Sequence, residues 1–168
     1  TGGVGLQLGG TVVNAASGAI TGGDGVDIGL LVGGDVPSAI GTVINYGRIA
    51  ASYAGNTFIG VGVFLGAGGS VTNAVSASIV GPSGIYTYDR PSTVVNAGTV
   101  TATTGTGIDL VVGGSITNQS GGTISGPLGV IANSAAATVA NAGEITGGVA
   151  LHNGGAVTNQ AGALIEGG

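Results

Sequence analysis

One four-residue word recurs along the whole chain and always ends in asparagine. It reads Thr-Val-Val-Asn at 11–14, Thr-Val-Ile-Asn at 42–45, Ser-Val-Thr-Asn at 70–73, Thr-Val-Val-Asn at 93–96, Ser-Ile-Thr-Asn at 115–118, Thr-Val-Ala-Asn at 138–141 and Ala-Val-Thr-Asn at 156–159. The seven asparagines, Asn14, Asn45, Asn73, Asn96, Asn118, Asn141 and Asn159, are separated by 31, 28, 23, 22, 23 and 18 residues. The basic period is therefore near 22, with insertions in the first half at 33–41 and 50–58. A period of this size is the signature of a solenoid or an array.

Two further features repeat in step with this word. A Gly-Val or Gly-Ile word precedes each copy, at 3–8, 25–28, 60–65, 84–88, 107–112, 129–132 and 148–152, and a single apolar site follows each Asn, at Ile20, Ile49, Ile79, Val100, Ile124, Ile145 and Ile165. Each repeat thus offers three short segments whose apolar residues lie two apart, the strand period, separated by Gly, Asn and Ser. No stretch of ten residues supports a helix, because breakers and β-branched residues interrupt every 3.6-residue pattern. Three short strands per repeat, with no helical crossover, predict an all-β parallel β-helix of about seven coils. At the usual interstrand spacing of about 4.8 Å, seven coils make a rod roughly 34 Å long.

The core is then a set of ladders. Val12, Val43, Val71, Val94, Ile116, Val139 and Val157 form one column. Val26, Val61, Ile85, Ile108, Val130 and Val149 form a second, and the apolar sites after Asn form a third. The distance from Asn to that third site is 6, 4, 6, 4, 6, 4 and 6 residues. Even changes preserve side-chain parity, whereas a change of one would turn the apolar residue outward, so the pattern is what stacked strands require. The Asn shares the parity of the inward Val two residues before it. This places it at a corner facing in, where stacked amides form a hydrogen-bonded ladder; the alternative is that Asn is simply suited to the turn.

Composition narrows the functions. The 168 residues include 39 Gly but are 43% hydrophobic with 5% charged residues, unlike a disordered linker. With no Cys and one His, a disulfide framework, a thiolate zinc site and a multi-histidine metal site are excluded. Two Arg and no Lys against seven acidic residues exclude a phosphate-tracking nucleic-acid surface. No apolar run reaches the ~18 residues needed to cross a membrane as a helix.

At the words Ser-Val-Thr-Asn (70–73), Asn-Ala-Gly-Thr-Val (96–100) and Gly-Gly-Thr-Ile-Ser-Gly (121–126) the chain resembles the passenger domains of Gram-negative autotransporters, the type V secretion proteins. The resemblance spans essentially all 168 residues as a single segment. It implies a right-handed parallel β-helix exported through the outer membrane to the bacterial cell surface, serving adhesion, aggregation or display. The family's signal peptide and C-terminal barrel are not within these residues, which implies a piece of a longer passenger.

Enzymatic chemistry finds little support. Asp27 and Asp109 share an outward column but lie three coils apart, roughly 14 Å, beyond the ~5 to 9.5 Å separations of glycosidase carboxyls. Asp89-Arg90 reads as a solvated loop and His152 as a lone surface histidine. No catalytic, cofactor or metal residue is assigned. Phe64, Tyr86 and Tyr88 fall outward on neighbouring coils, forming a contact patch for a glycan or a protein, or else a patch covered by the 50–58 loop with Tyr53 and Phe58. The outward Thr/Ser/Val face beside the inward Val column looks like that of several ice-binding β-solenoids. The expectation is a structural or adhesive segment capable of lateral self-association. Ice binding is the alternative, and a glycan-binding or glycan-cleaving β-helix a third class.

Overall fold

The computed structural model describes residues 3–29, 39–52 and 60–167. Every regular element among them is a strand. Coil one contains β1 (Val4–Leu6), β2 (Gly10–Asn14) and β3 (Ala19–Gly22), and coil two β4 (Val26–Ile28), β5 (Gly41–Asn45) and β6 (Arg48–Ala51). Coil three contains β7 (Val61–Leu65), β8 (Gly69–Asn73) and β9 (Ser78–Gly81), and coil four β10 (Ser83–Thr87), β11 (Ser92–Asn96) and β12 (Thr99–Ala102). Coil five contains β13 (Thr106–Leu110), β14 (Gly114–Asn118) and β15 (Thr123–Ser125), and coil six β16 (Leu128–Ala132), β17 (Ala137–Asn141) and β18 (Glu144–Thr146). Coil seven contains β19 (Val149–Leu151), β20 (Gly155–Asn159) and β21 (Leu164–Glu166).

Corresponding strands pair in parallel from coil to coil, giving three seven-stranded sheets that form the faces of a right-handed parallel β-helix. Residue n of each Asn word sits over residue n of the next through all seven coils of the second face. The Val column from Val12 through Val139 and the Ile/Val column from Ile49 through Ile145 are buried. Such columns follow from the sequence: a narrow interior admits one stiff β-branched side chain per strand position, and each full burial contributes ~1.5–3 kcal/mol.

The first face departs from the expected register in coil three. Val63, not Val61, stands between Val26 and Ile85, while Val61 lies beside Ser83. Val4 completes this column below Val26. A second inward column on the same face runs Leu6, Ile28, Leu65, Thr87, Leu110, Ala132 and Leu151. Most of both expected insertions, 33–38 and 53–58, lies outside the described residues, as do Tyr53 and Phe58. Gly41 already belongs to β5 and Ala50–Ala51 to β6, so regular strand extends into both ranges.

Coils alternate between two corner types. In coils one, three, five and seven the Asn amide reaches the carbonyl four residues on, at Gly18, Ala77, Gly122 and Ala163. In coils two, four and six it reaches the carbonyl two residues on, at Gly47, Gly98 and Gly143. Each short corner lies directly on the long loop beneath it: Ala97 N donates to Asn73 O at 2.8 Å and Thr99 N to Ala77 O at 2.9 Å. The approach leaves no room for a side chain. A Cβ on Gly98 would run into the carbonyl oxygens of Ala74 and Ala77 and lie 2.9 Å from Asn73 Nδ2, and Gly47 and Gly143 face the same obstruction from coils one and five.

Candidate functional site

The asparagines face inward at the corner between the second and third faces. Each Nδ2 donates to the Oδ1 of the next coil's asparagine, from Asn14 through Asn45, Asn73, Asn96, Asn118 and Asn141 to Asn159, at 2.8–2.9 Å in every step. The same amides also donate to a strand carbonyl of the next coil, as from Asn73 to Thr99 O and from Asn96 to Thr123 O, both 3.1 Å. Asn45, Asn73, Asn96, Asn118 and Asn141 are wholly buried. A buried polar side chain is tolerable only when hydrogen-bonded. This ladder meets that condition and holds the corner.

The outward row of the first face is different. Because coil three is shifted, Phe64 sits not beside Tyr88's column but in the column of Asp27, Tyr86 and Asp109. Consecutive rungs read Gly5, Asp27, Phe64, Tyr86, Asp109, Ile131 and Ala150. The Phe64 and Tyr86 rings are stacked, with centroids 5.7 Å apart and planes 13° from parallel. Both are half-buried, while Tyr88, two residues beyond Tyr86, is exposed. One carboxylate therefore terminates the ring pair on each side.

Their surroundings differ. Asp27 is half-buried, and its Oδ1 has no hydrogen-bond partner among the described residues. Burial, and then the Asp24 carboxylate, push its pKa up to about 6. Asp24 is itself engaged, accepting from Val61 N at 2.8 Å. Asp109 accepts from Asn133 Nδ2 at 2.9 Å. Burial raises its pKa, while the Asn133 hydrogen bond and nearby His152 pull the other way. Tyr86 is raised by burial first and then by Asp109 and Tyr88. Desolvation opposes charging of all three groups.

The outer side of the second face carries no charge. Its first column is Thr11, Thr42, Ser70, Thr93, Ser115, Thr138 and Ala156, and the second is Val13, Ile44, Thr72, Val95, Thr117, Ala140 and Thr158. Hydroxyls meet along the first column, Ser70 to Thr42 at 3.4 Å and Ser115 to Thr93 at 3.3 Å.

Asp89 and Arg90 form an exposed pair at 3.8 Å, of the kind worth little. Among the described residues no three His, Cys, Asp or Glu side chains are grouped so as to hold a metal. Comparison of the chain with family models, with curated proteins and with solved structures yields no match in any of the three.

Proposed function

We propose that this chain is a structural and adhesive segment of an autotransporter passenger, presented at the bacterial cell surface, and that it acts through contact along its uncharged second face, association with copies of itself included. The observation that carries the reading is the second face: seven strands in unbroken register, without a charged residue on either side of the sheet. Soluble domains place a quarter or more of their surface as mixed charges. A face lacking them sets no electrostatic barrier against the same face of another copy, and binds through area with little dependence on salt. The words shared with autotransporter passengers support the same setting. No catalytic role or cofactor belongs to this reading.

Sedimentation at rising concentration and at two salt levels tests it, together with aggregation of cells that display the segment. The expected result is reversible association that is insensitive to salt and lost in the double variant Thr72→Lys/Thr117→Lys, which sets charge on the second face. A strict monomer at high concentration, with no clumping of displaying cells, would overturn it.

The matched hydroxyls of Thr42 with Ser70 and of Thr93 with Ser115 favour one second reading, an ice-binding face. Thermal hysteresis in the wild type, absent from the same Lys variant, is its expected result; freezing without hysteresis would dispose of it.

A further inference from the structure

We propose that the outward row Asp27–Phe64–Tyr86–Asp109 on the first face, with Tyr88 and Asn133 beside it, is a docking strip for a linear, uncharged polysaccharide lying along the rod axis. The proposal rests on the adhesive reading above and names the partner class of a different face.

Three observations point there. The first is shape. The four side chains occupy successive rungs of one straight column, so the strip is about 14 Å long at ~4.8 Å per rung and runs parallel to the solenoid. A linear polymer can follow such a row, whereas a compact ligand meets only one or two rungs.

The second is the mixture of groups. Phe64 and Tyr86 supply ring surface for the apolar C–H faces of sugars. Around them stand acceptors, the carboxylates of Asp27 and Asp109, and donors, the hydroxyls of Tyr86 and Tyr88 and the Asn133 amide. Sugar hydroxyls both donate and accept, and so match both kinds. An ammonium or guanidinium group only donates, which leaves the tyrosine hydroxyl donors unused.

The third is charge. Asp24, Asp27 and Asp109 crowd the strip with carboxylates; of the basic side chains, His152 is near Asp109, Arg48 lies on the third face, and Arg90 is paired with Asp89 in the turn after Tyr88. Uronic acid and sulfated polymers are therefore repelled, which leaves neutral glycans as the class.

Native electrophoresis in gels cast with neutral polysaccharides, one β-linked glucan, one α-linked glucan, a mannan and a galactan, tests this, with a polyuronate gel and poly-L-lysine in solution as comparison arms. The expected result is retardation by at least one neutral polymer and none by the polyuronate. Tyr86→Thr supplies a β-branched residue suited to a strand while removing the ring and its phenolic hydroxyl, and Asp109→Ala removes the acceptor beside it. Each should weaken binding about tenfold or more, while circular dichroism shows the fold retained. Thr93→Ala on the second face should bind as the wild type does. No retardation by any neutral polymer overturns the proposal, as does retardation unchanged in Tyr86→Thr. Binding confined to poly-L-lysine and abolished by salt would replace it with a cation site. Self-association of Tyr86→Thr, followed by sedimentation, reports separately on the second face, so failure of the two readings can be told apart.

Discussion

Asn73 donates to Asn96 Oδ1 at 2.9 Å, and the Nδ2 of Asn96 then donates onward to Asn118 at the same distance, so every interior asparagine both gives and receives. The ladder has a direction. Substitution at a central rung therefore strands an acceptor on one side and a donor on the other.

For Asn96→Ala we expect a loss of about 1–3 kcal/mol, since the neighbouring amides are buried and lose a partner. Asn159→Ala should cost less, because its amide bonds to Ala163 O in an exposed setting. Denaturant melts of both variants check the ranking; equal losses would mean that the ladder adds little beyond the turn.

Gly98→Ala should destabilise by about 1–3 kcal/mol, the usual cost of inserting atoms where none fit. Ala97→Ser, at the half-buried neighbouring position, serves as the control and should change the melt little. Comparable effects at the two positions would contradict the close contact of the short corner with the loop beneath.

Ser76→Gly is expected to stabilise. Ser76 holds φ at 65°, a left-handed conformation that costs a non-glycine residue ~1–2 kcal/mol. Coils five and seven place Gly121 and Gly162 at the matching position, with φ of 79° and 82°. After the larger chain entropy of glycine when unfolded, a net gain of about 0.5–1 kcal/mol should remain, read as a higher melting temperature.

Thr87→Val is a second stabilising change. Thr87 lies between Leu65 and Leu110 in an apolar column, fully buried, with its hydroxyl lacking a partner among the described residues. Replacement by an isosteric methyl removes a buried polar group worth about 1–3 kcal/mol when left unsatisfied. A destabilised variant would reveal a hydrogen bond to that hydroxyl.

Asp27 makes stability depend on pH in an unusual direction. Its folded pKa, about 6, lies above the ordinary 3.8, so between these values the folded state binds more protons than the unfolded chain. Its contribution to stability thus falls as pH rises from about 4 to 6 and stays low above that. Asp27→Asn should melt higher than the wild type at pH 7.5 and close to it at pH 3.5. The opposite order would show the carboxylate to be favourably paired.

Much of this fold is legible because the spacings are even. The invariant parity from Asn to Ile20, Ile49 and their successors points all three columns inward without any knowledge of contacts. Parity fails where one word offers two equivalent residues. Gly60-Val61-Gly62-Val63 places valines two apart on the same side of a strand, and only the pairing of β7 with β4 and β10 selects Val63. That choice moves Phe64 by one column position, and with it the ring stack comes to stand between Asp27 and Asp109. The 6/4 alternation was visible as numbers. Its cause, a corner whose glycine rests on a bulging loop, depends on the coil below, which spacing along one strand does not describe.

The alternation of corners also sets the quantum in which such a rod changes length. Asn73 and Asn118 are 45 residues apart, as are Asn96 and Asn141, so a pair of coils and not a single one is the interchangeable unit. Duplicating or excising one coil would bring two bulging loops, or two glycine corners, face to face. Adding or removing 45 residues preserves the mesh, and after any such event the row of asparagines stays continuous.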